Sequence, residues 1–207
     1  MTQIKICGLK NSSAIEAAVT AGAAYLGFVF AESPRRVRPE KVSELTKNLP
    51  EEIKRVGVFV SPTREEVEEI IETAGLDLIQ IHGKTELTEL SRPIIRAFSI
   101  KDQDSFYFYQ YPHLLLDAPP AKLMGGNGQT FDWHLVDQRH LPKEKLWLAG
   151  GLNSENVGEA IRFFQPQVVD VSSGVETAGE KDLAKIQAFC QAVKIAEIGR
   201  ASCRERV

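Results

Sequence analysis

Apolar and polar positions follow two rhythms along this chain. Short, nearly solid apolar runs fall at residues 4–7, 25–30, 55–60, 78–82, 94–99, 113–117, 146–149 and 168–172. A solid run of this length marks a strand buried on both faces of a parallel sheet. Between the runs, apolar residues recur every three or four positions, the period of an amphipathic helix. That period predicts helices over 12–21, 39–48, 63–73, 85–91, 103–110, a short one after Asp132, 154–164 and 181–195. The third is also signalled chemically, since Thr63 and Glu66 have capping-box spacing. Eight strand-then-helix units in a row predict an α/β protein with a single (β/α)8 TIM barrel over residues 1–196, at the small end of that fold. An open doubly wound sheet is the alternative. It would carry a glycine-rich loop after its first strand, and Cys7-Gly8-Leu9-Lys10 is not such a loop.

Composition narrows the picture. With 207 residues and 43% hydrophobic content, the chain can bury a full core. A net charge of −3 gives no general attraction to nucleic acid or membrane, and no apolar run is long enough to span a bilayer. The chain enters its first strand almost at once, so no signal peptide is expected. Three cysteines, an odd number without CxxC spacing, fit a reducing cytoplasm better than a disulfide framework. The four histidines form no ligand pattern, so neither a metal nor a redox cofactor is expected.

Barrel logic directs attention to the strand ends, where active sites of this fold gather. Cys7 ends the first run, and Lys5 shares its strand face because side chains alternate with period two. An ammonium there is expected to favour the thiolate, making Cys7 a base or nucleophile; the other reading is a small buried hydrophobe. Asp117 ends the run Leu114-Leu115-Leu116, where burial raises a carboxyl pKa and suits a general acid; otherwise it caps the following loop. Arg36, within Ser33-Pro34-Arg35-Arg36, can pair with a substrate carboxylate, although at least one arginine of that cluster is expected to be simply solvated. Gly150-Gly151 and Ser172-Ser173-Gly174 leave the last two strands on one side of the sheet. Glycine backbones and helix N-termini bind anions there, which predicts a phosphate grip. The loop 125–133 is glycine-rich and long enough to fold over a ligand, or is only a flexible connection.

These residues resemble the phosphoribosylanthranilate isomerase family of tryptophan biosynthesis. The resemblance is carried by Lys5-Ile6-Cys7-Gly8-Leu9, Gly27-Phe28-Val29-Phe30 with Ser33-Pro34-Arg35-Arg36, Gln80-Ile81-His82-Gly83, and Leu115-Leu116-Asp117. It continues through Gly125-Gly126-Asn127-Gly128-Gln129-Thr130-Phe131-Asp132-Trp133, Gly150-Gly151-Leu152-Asn153 and Asp170-Val171-Ser172-Ser173-Gly174-Val175-Glu176. It implies an Amadori rearrangement of N-(5-phosphoribosyl)anthranilate to the matching 1-deoxyribulose 5-phosphate. By that resemblance Asp117 is the acid that opens the ribose ring and Cys7 the base that takes the C2 proton. Arg36 holds the anthranilate carboxylate and Asp170 the ribosyl hydroxyls. Gly128, Gly151, Ser173 and Gly174 hold the phosphate. His82 receives no chemical step. Chemistry at neutral pH would ask for a thiol pKa near 7 and a carboxyl pKa raised toward it.

Two rivals remain at this point. Another phosphate-binding barrel, of the indole-glycerol-phosphate synthase type, would look for a catalytic Lys and Glu at its strand ends. A catalytically silent phosphometabolite sensor would need neither Cys7 nor Asp117. Residues 197–207 leave the apolar stripe of the last helix and resemble a translated sequencing adapter, so they are expected to lie outside the fold. The expected partner is a phosphorylated small molecule, with the chain a monomer or homodimer.

Overall fold

A computed structural model describes residues 1–99, 111–117 and 141–204, with side chains up to residue 199. The elements run β1 (Gln3–Cys7), α1 (Ser12–Ala21), β2 (Tyr25–Val29), α2 (Pro39–Thr46), β3 (Lys54–Val60), α3 (Arg64–Ala74), β4 (Leu78–His82), β5 (Ile94–Ser99), β6 (His113–Asp117), β7 (Leu146–Ala149), α4 (Val157–Phe164), β8 (Val168–Val171), β9 (Glu176–Thr177), β10 (Glu180–Lys181) and α5 (Leu183–Arg204). Strands β1 to β8 pair in chain order, all parallel, and β8 closes on β1. The register places Lys5 opposite Asp170 and Cys7 opposite Gly27. On the far side, Asp117 lies opposite Ser99 and Ala149.

Period-two alternation divides each strand between two cores. Outward residues such as Ile4, Ile6, Leu26, Phe28, Ile79 and Leu114 join the helices in one large apolar layer. Inward residues Val56, Leu78, Ile95, Ala97, Leu115, Trp147 and Val168 form a second, smaller cluster inside the barrel. Toward the C-terminal strand ends this plug gives way to a buried polar layer of Lys5, Gln80 and Asp170. The site therefore has an apolar floor.

Local chemistry sets the helix boundaries. Thr63 and Glu66 form the expected reciprocal capping box on α3. The turn before α4 is held by Asn153 Oδ1, which accepts from the Glu155 and Asn156 amides at 2.8 and 3.1 Å. Asn156 Oδ1 accepts in return from the Asn153 amide at 2.8 Å, and regular helix begins only at Val157. Before α5, residues 180–181 pair with 176–177 as a short hairpin that periodicity did not anticipate. Helix α5 extends to Arg204, and Glu197 Oε1 on it accepts from the Thr2 hydroxyl at 2.9 Å.

The helix expected over 85–91 does not form; residues 85–90 are irregular. Seven residues are too few to offset helix nucleation unless a continuous face packs. Leu87 and Leu90 are instead inserted singly against the core, and Ser91 bonds to Glu68 of α3 through both its amide (2.9 Å) and its hydroxyl (2.5 Å). The expected helices over 103–110 and after Asp132 lie outside the described residues, as does the candidate lid 125–133. Among the described residues, no helix is long and apolar enough to cross a membrane.

Candidate active site

The polar layer is organised by Lys5. Its ammonium is completely buried, and donates to Asp170 Oδ2 at 2.7 Å and to Gln80 Oε1 at 2.8 Å. Because Gln80 Oε1 accepts from Lys5, its amide nitrogen is the atom facing His82. Gln80 Nε2 therefore donates to His82 Nε2 at 2.7 Å, and that ring nitrogen carries no proton. Burial, aided by the Lys5 charge, pulls the His82 pKa down to about 4. A neutral imidazole is what this hydrogen bond requires. Burial alone would also lower the Lys5 pKa, but the Asp170 carboxylate and the Cys7 sulfur outweigh it and raise it overall. Lys5 is a permanent cation.

The other oxygen of Asp170, Oδ1, is buried and has no hydrogen-bond partner among the described residues, an arrangement that costs stability unless a ligand fills it. Cys7 sits beside this pair, buried, at the end of β1. The glycine opposite it is needed for space: a methyl group on Gly27 would sit 2.9 Å from Cys7 Sγ.

Asp117 lies at the end of β6, on the rim, partly exposed. The barrel mouth still withdraws its carboxyl from part of the solvent; this burial raises its pKa, and the negative field of Asp170 adds to the rise. The groups that interact electrostatically with Asp170 thus include Cys7 on one side and Asp117 on the other. In the barrel order β6-β7-β8-β1, the strand of Asp170 lies between those of Asp117 and Cys7, and its charge acts on both.

The last two strand ends make the anion-binding rim. Gly150 and Gly151 both have positive φ, 99° and 58°. A 3-10 turn spans Ser173–Val175. Within the described residues, the amides of Gly151, Ser173 and Gly174 donate no backbone hydrogen bond outside regular elements, leaving three N–H groups available. Gly174 is fixed by contact, since a Cβ there would overlap the Leu152 carbonyl oxygen. In the loop after β2, Arg36 is exposed and is joined to β2 by a backbone bridge with Val29.

This arrangement matches a known group of proteins. A family model described as N-(5'phosphoribosyl)anthranilate (PRA) isomerase matches residues 4–192. The chain belongs to this isomerase family. It is 49% identical over 197 residues to the N-(5'-phosphoribosyl)anthranilate isomerase of Streptococcus gordonii, covering 94% of this chain and 98% of that one. The Listeria monocytogenes isomerase is 47% identical over 197 residues, covering 92% and 98%. A solved phosphoribosyl anthranilate isomerase, crystallised with reduced 1-(o-carboxyphenylamino)-1-deoxyribulose 5-phosphate, superposes with a TM-score of 0.80. It shares 34% identity over 94% of this chain and 99% of its own.

Of the isomerase residues expected from sequence, Cys7, Asp170, Asp117, Arg36, Gly151, Ser173 and Gly174 all lie on strand ends or loops at this one mouth of the barrel. Gly128 lies outside the described residues. Lys5 does favour the Cys7 thiolate, as expected, and Lys181 acts in the same direction, but burial outweighs both and pushes the thiol pKa up, with Asp170 adding to the rise. The sequence did not show how deeply the thiol is withdrawn from water. Sequence reasoning also passed over Gln80, which orients both Lys5 and His82, and the ion pair of Arg35 with Glu176. Gln80 and Glu176 did stand within quoted motifs; period two on β4 places Gln80 on the same face as His82.

Proposed function

We propose that Cys7 and Asp117 carry the isomerisation of N-(5'-phosphoribosyl)anthranilate in this chain. The activity follows from membership of the family; the assignment of steps to side chains is our reading. The observation that supports it is the strand order β6-β7-β8-β1, which sets Asp170 on β8 between the strands that end in Asp117 and Cys7, with its buried Oδ1 unsatisfied among the described residues.

Burial and the Asp170 charge shift the Asp117 pKa upward, the direction a general acid requires. It protonates the ribose ring oxygen as the C1–O bond breaks, and the anthranilate nitrogen lone pair forms the C1=N bond. The product of this step is a protonated imine. Cys7 then removes the proton from C2, and the C2–H electron pair flows toward the imine to give an enolamine. Proton return to C1 and loss of the C2 hydroxyl proton yield the aminoketose. The order suits the electrostatics. The Cys7 thiol is held up by burial until a cationic imine forms beside it, and that charge favours the thiolate where and when a base is needed.

Asp170 Oδ1 accepts from a ribosyl hydroxyl, while Lys5 fixes the carboxylate through Oδ2. Gly151, Ser173 and Gly174 offer their amides to the phosphate, with Gly128 joining them. Arg36, with no side-chain partner among the described residues, pairs with the anthranilate carboxylate. Among the described residues, no group of three or more His, Cys, Asp or Glu could hold a metal ion. The chain works as a monomer or homodimer on a phosphorylated small molecule in the cytoplasm.

The test is an assay following the loss of phosphoribosylanthranilate fluorescence. Cys7→Ala and Asp117→Asn are each expected to lower kcat by about 10²–10⁴-fold, the range for a general acid or base, with KM little changed. Near-normal turnover in either variant would remove that residue from the mechanism. A sensor reading would predict unchanged ligand binding and no turnover in the parent protein.

A further inference from the structure

Outside the substrate-facing groups, the largest charge cluster in the described structure is built around Glu176. Arg35 Nε and Nη2 donate to its two carboxylate oxygens at 2.7 and 2.6 Å, a two-pronged pair. Lys181 Nζ donates to Glu176 Oε1 at 2.6 Å and to the Ser172 carbonyl at 3.0 Å. Glu176 and Lys181 are 7% and 3% exposed, so the pair is shielded from solvent screening. The two cations bring the Glu176 pKa down to about 2 against the opposing effect of burial. It stays an anion at any working pH.

The cluster reaches the strand end that carries Cys7 from two directions. The Arg35 stem lies on Gly8, the residue after Cys7, so closely that a methyl group on Gly8 would sit 2.7 Å from Arg35 Cδ. Ser172, which carries Lys181 on its carbonyl, donates from its hydroxyl to the Cys7 carbonyl at 3.2 Å. A parallel tie runs outside it, where Lys10 Nζ donates to Glu180 Oε1 at 2.9 Å and to the Pro34 carbonyl at 3.4 Å. The loops after β1, β2 and β8 are thus bound together around one sulfur.

We propose that Arg35, Glu176 and Lys181 are positioning residues for Cys7, a strap that fixes its strand end and keeps one surplus positive charge beside its sulfur. Charge counting makes the case. Lys5 on β1 and Asp170 on β8 face Cys7 as a neutral pair. Arg35 from the loop after β2 and Lys181 on β10 contribute two positive charges, against one negative charge from Glu176 on β9. The surplus charge that the inner pair lacks comes from the strap. Arg36, next in sequence, remains available to substrate because Arg35 has taken the structural task.

The inference rests on Cys7 serving as the base, and the test separates the two. The thiol is titrated in the substrate-free protein by ultraviolet thiolate absorbance, as a difference against Cys7→Ala. Arg35→Met and Lys181→Met remove a cation and are expected to raise the titration midpoint by about one pH unit, the low end for a neighbouring charge. Glu176→Gln removes the anion and is expected to move it the opposite way. Arg35→Lys keeps the charge and is expected to stay near the parent midpoint. The acid limb of kcat/KM against pH should follow each shift. Midpoints that stay fixed, or that move the same way in all three, overturn the strap, because simple loosening has no charge sign. Should the buried Lys181→Met not fold, the half-exposed Arg35 and the sign reversal at Glu176 still decide. Thiol shifts of the expected signs with an unmoved kcat/KM profile would uphold the strap and refute Cys7 as the base.

Discussion

Lys5 Nζ and Asp170 Oδ2 lie 2.7 Å apart, between residues 165 positions distant in sequence, with side chains 0% and 6% exposed. Neither charge is tolerable there alone. Breaking a buried pair by removing one partner typically costs about 3–5 kcal/mol. Lys5→Met is therefore expected to lower stability by about that amount in urea unfolding. Adding Asp170→Asn should recover part of the loss, because no lone buried charge then remains. A double variant no more stable than Lys5→Met would mean that packing, not charge, dominates at this position.

Arg36 makes no hydrogen bond or ion pair through its side chain among the described residues, so its loss should cost binding and not folding. Arg36→Met is expected to raise KM by roughly 10–100-fold, corresponding to about 1.5–3 kcal/mol for a hydrogen bond to a charged group. The unfolding midpoint should hardly move. The matching change at Arg35 should do the reverse, disturbing the thiol titration more than KM. Equal KM effects at both arginines would contradict the division of labour between them.

Gly174 abuts the Leu152 carbonyl, and an alanine there must push the turn away from the end of β7. Gly174→Ala is expected to weaken phosphate-dependent binding at least tenfold, since the Ser173 and Gly174 amides lose their aim. Inhibition by a phosphorylated product analogue, compared with its unphosphorylated form, reads this directly. If the variant still discriminates the two as the parent does, the grip lies elsewhere.

His82 carries a pH signature. In the fold its pKa is lowered to about 4 from 6.5, with burial the largest cause. Between those values the unfolded chain binds more protons than the folded one, so stability falls as pH drops through that window. Above 6.5 this contribution is fully present. His82→Asn should flatten the part of the stability curve between about 6.5 and about 4, measured by urea midpoints across it. Glu176 adds a second decline at lower pH, as its carboxylate protonates between 4.5 and about 2. An unchanged slope in His82→Asn would place the first decline on other groups.

Much of the fold could be read along the chain. Four of the eight expected strands have the observed bounds, 78–82, 94–99, 113–117 and 146–149, and the others differ by a residue at an end. Solid apolar runs report burial on both faces of a parallel sheet, and eight strand-then-helix units without a glycine-rich first loop favour the closed barrel over an open doubly wound sheet. Helices fared less evenly. Thr63 and Glu66 announced α3 because capping is local chemistry between residues three apart. Residues 85–91 imitated a helix because Leu87 and Leu90 have the right spacing, while the groups that hold that segment, including Glu68, come from another element.

The site divides along the same line. Sequence alone determined that the fold is a (β/α)8 barrel and which side chains stand at its strand ends, because period two and the strand-then-helix order are carried by neighbouring residues. Tertiary structure alone decided which charges meet: Lys5 with Asp170 and Gln80, Arg35 and Lys181 with Glu176, and therefore a Cys7 thiol pushed up where its nearest lysine pointed down. Ionisation depends on distances through space and on exclusion of water. Both are set by barrel closure, which brings residues from the two ends of the chain within hydrogen-bond reach.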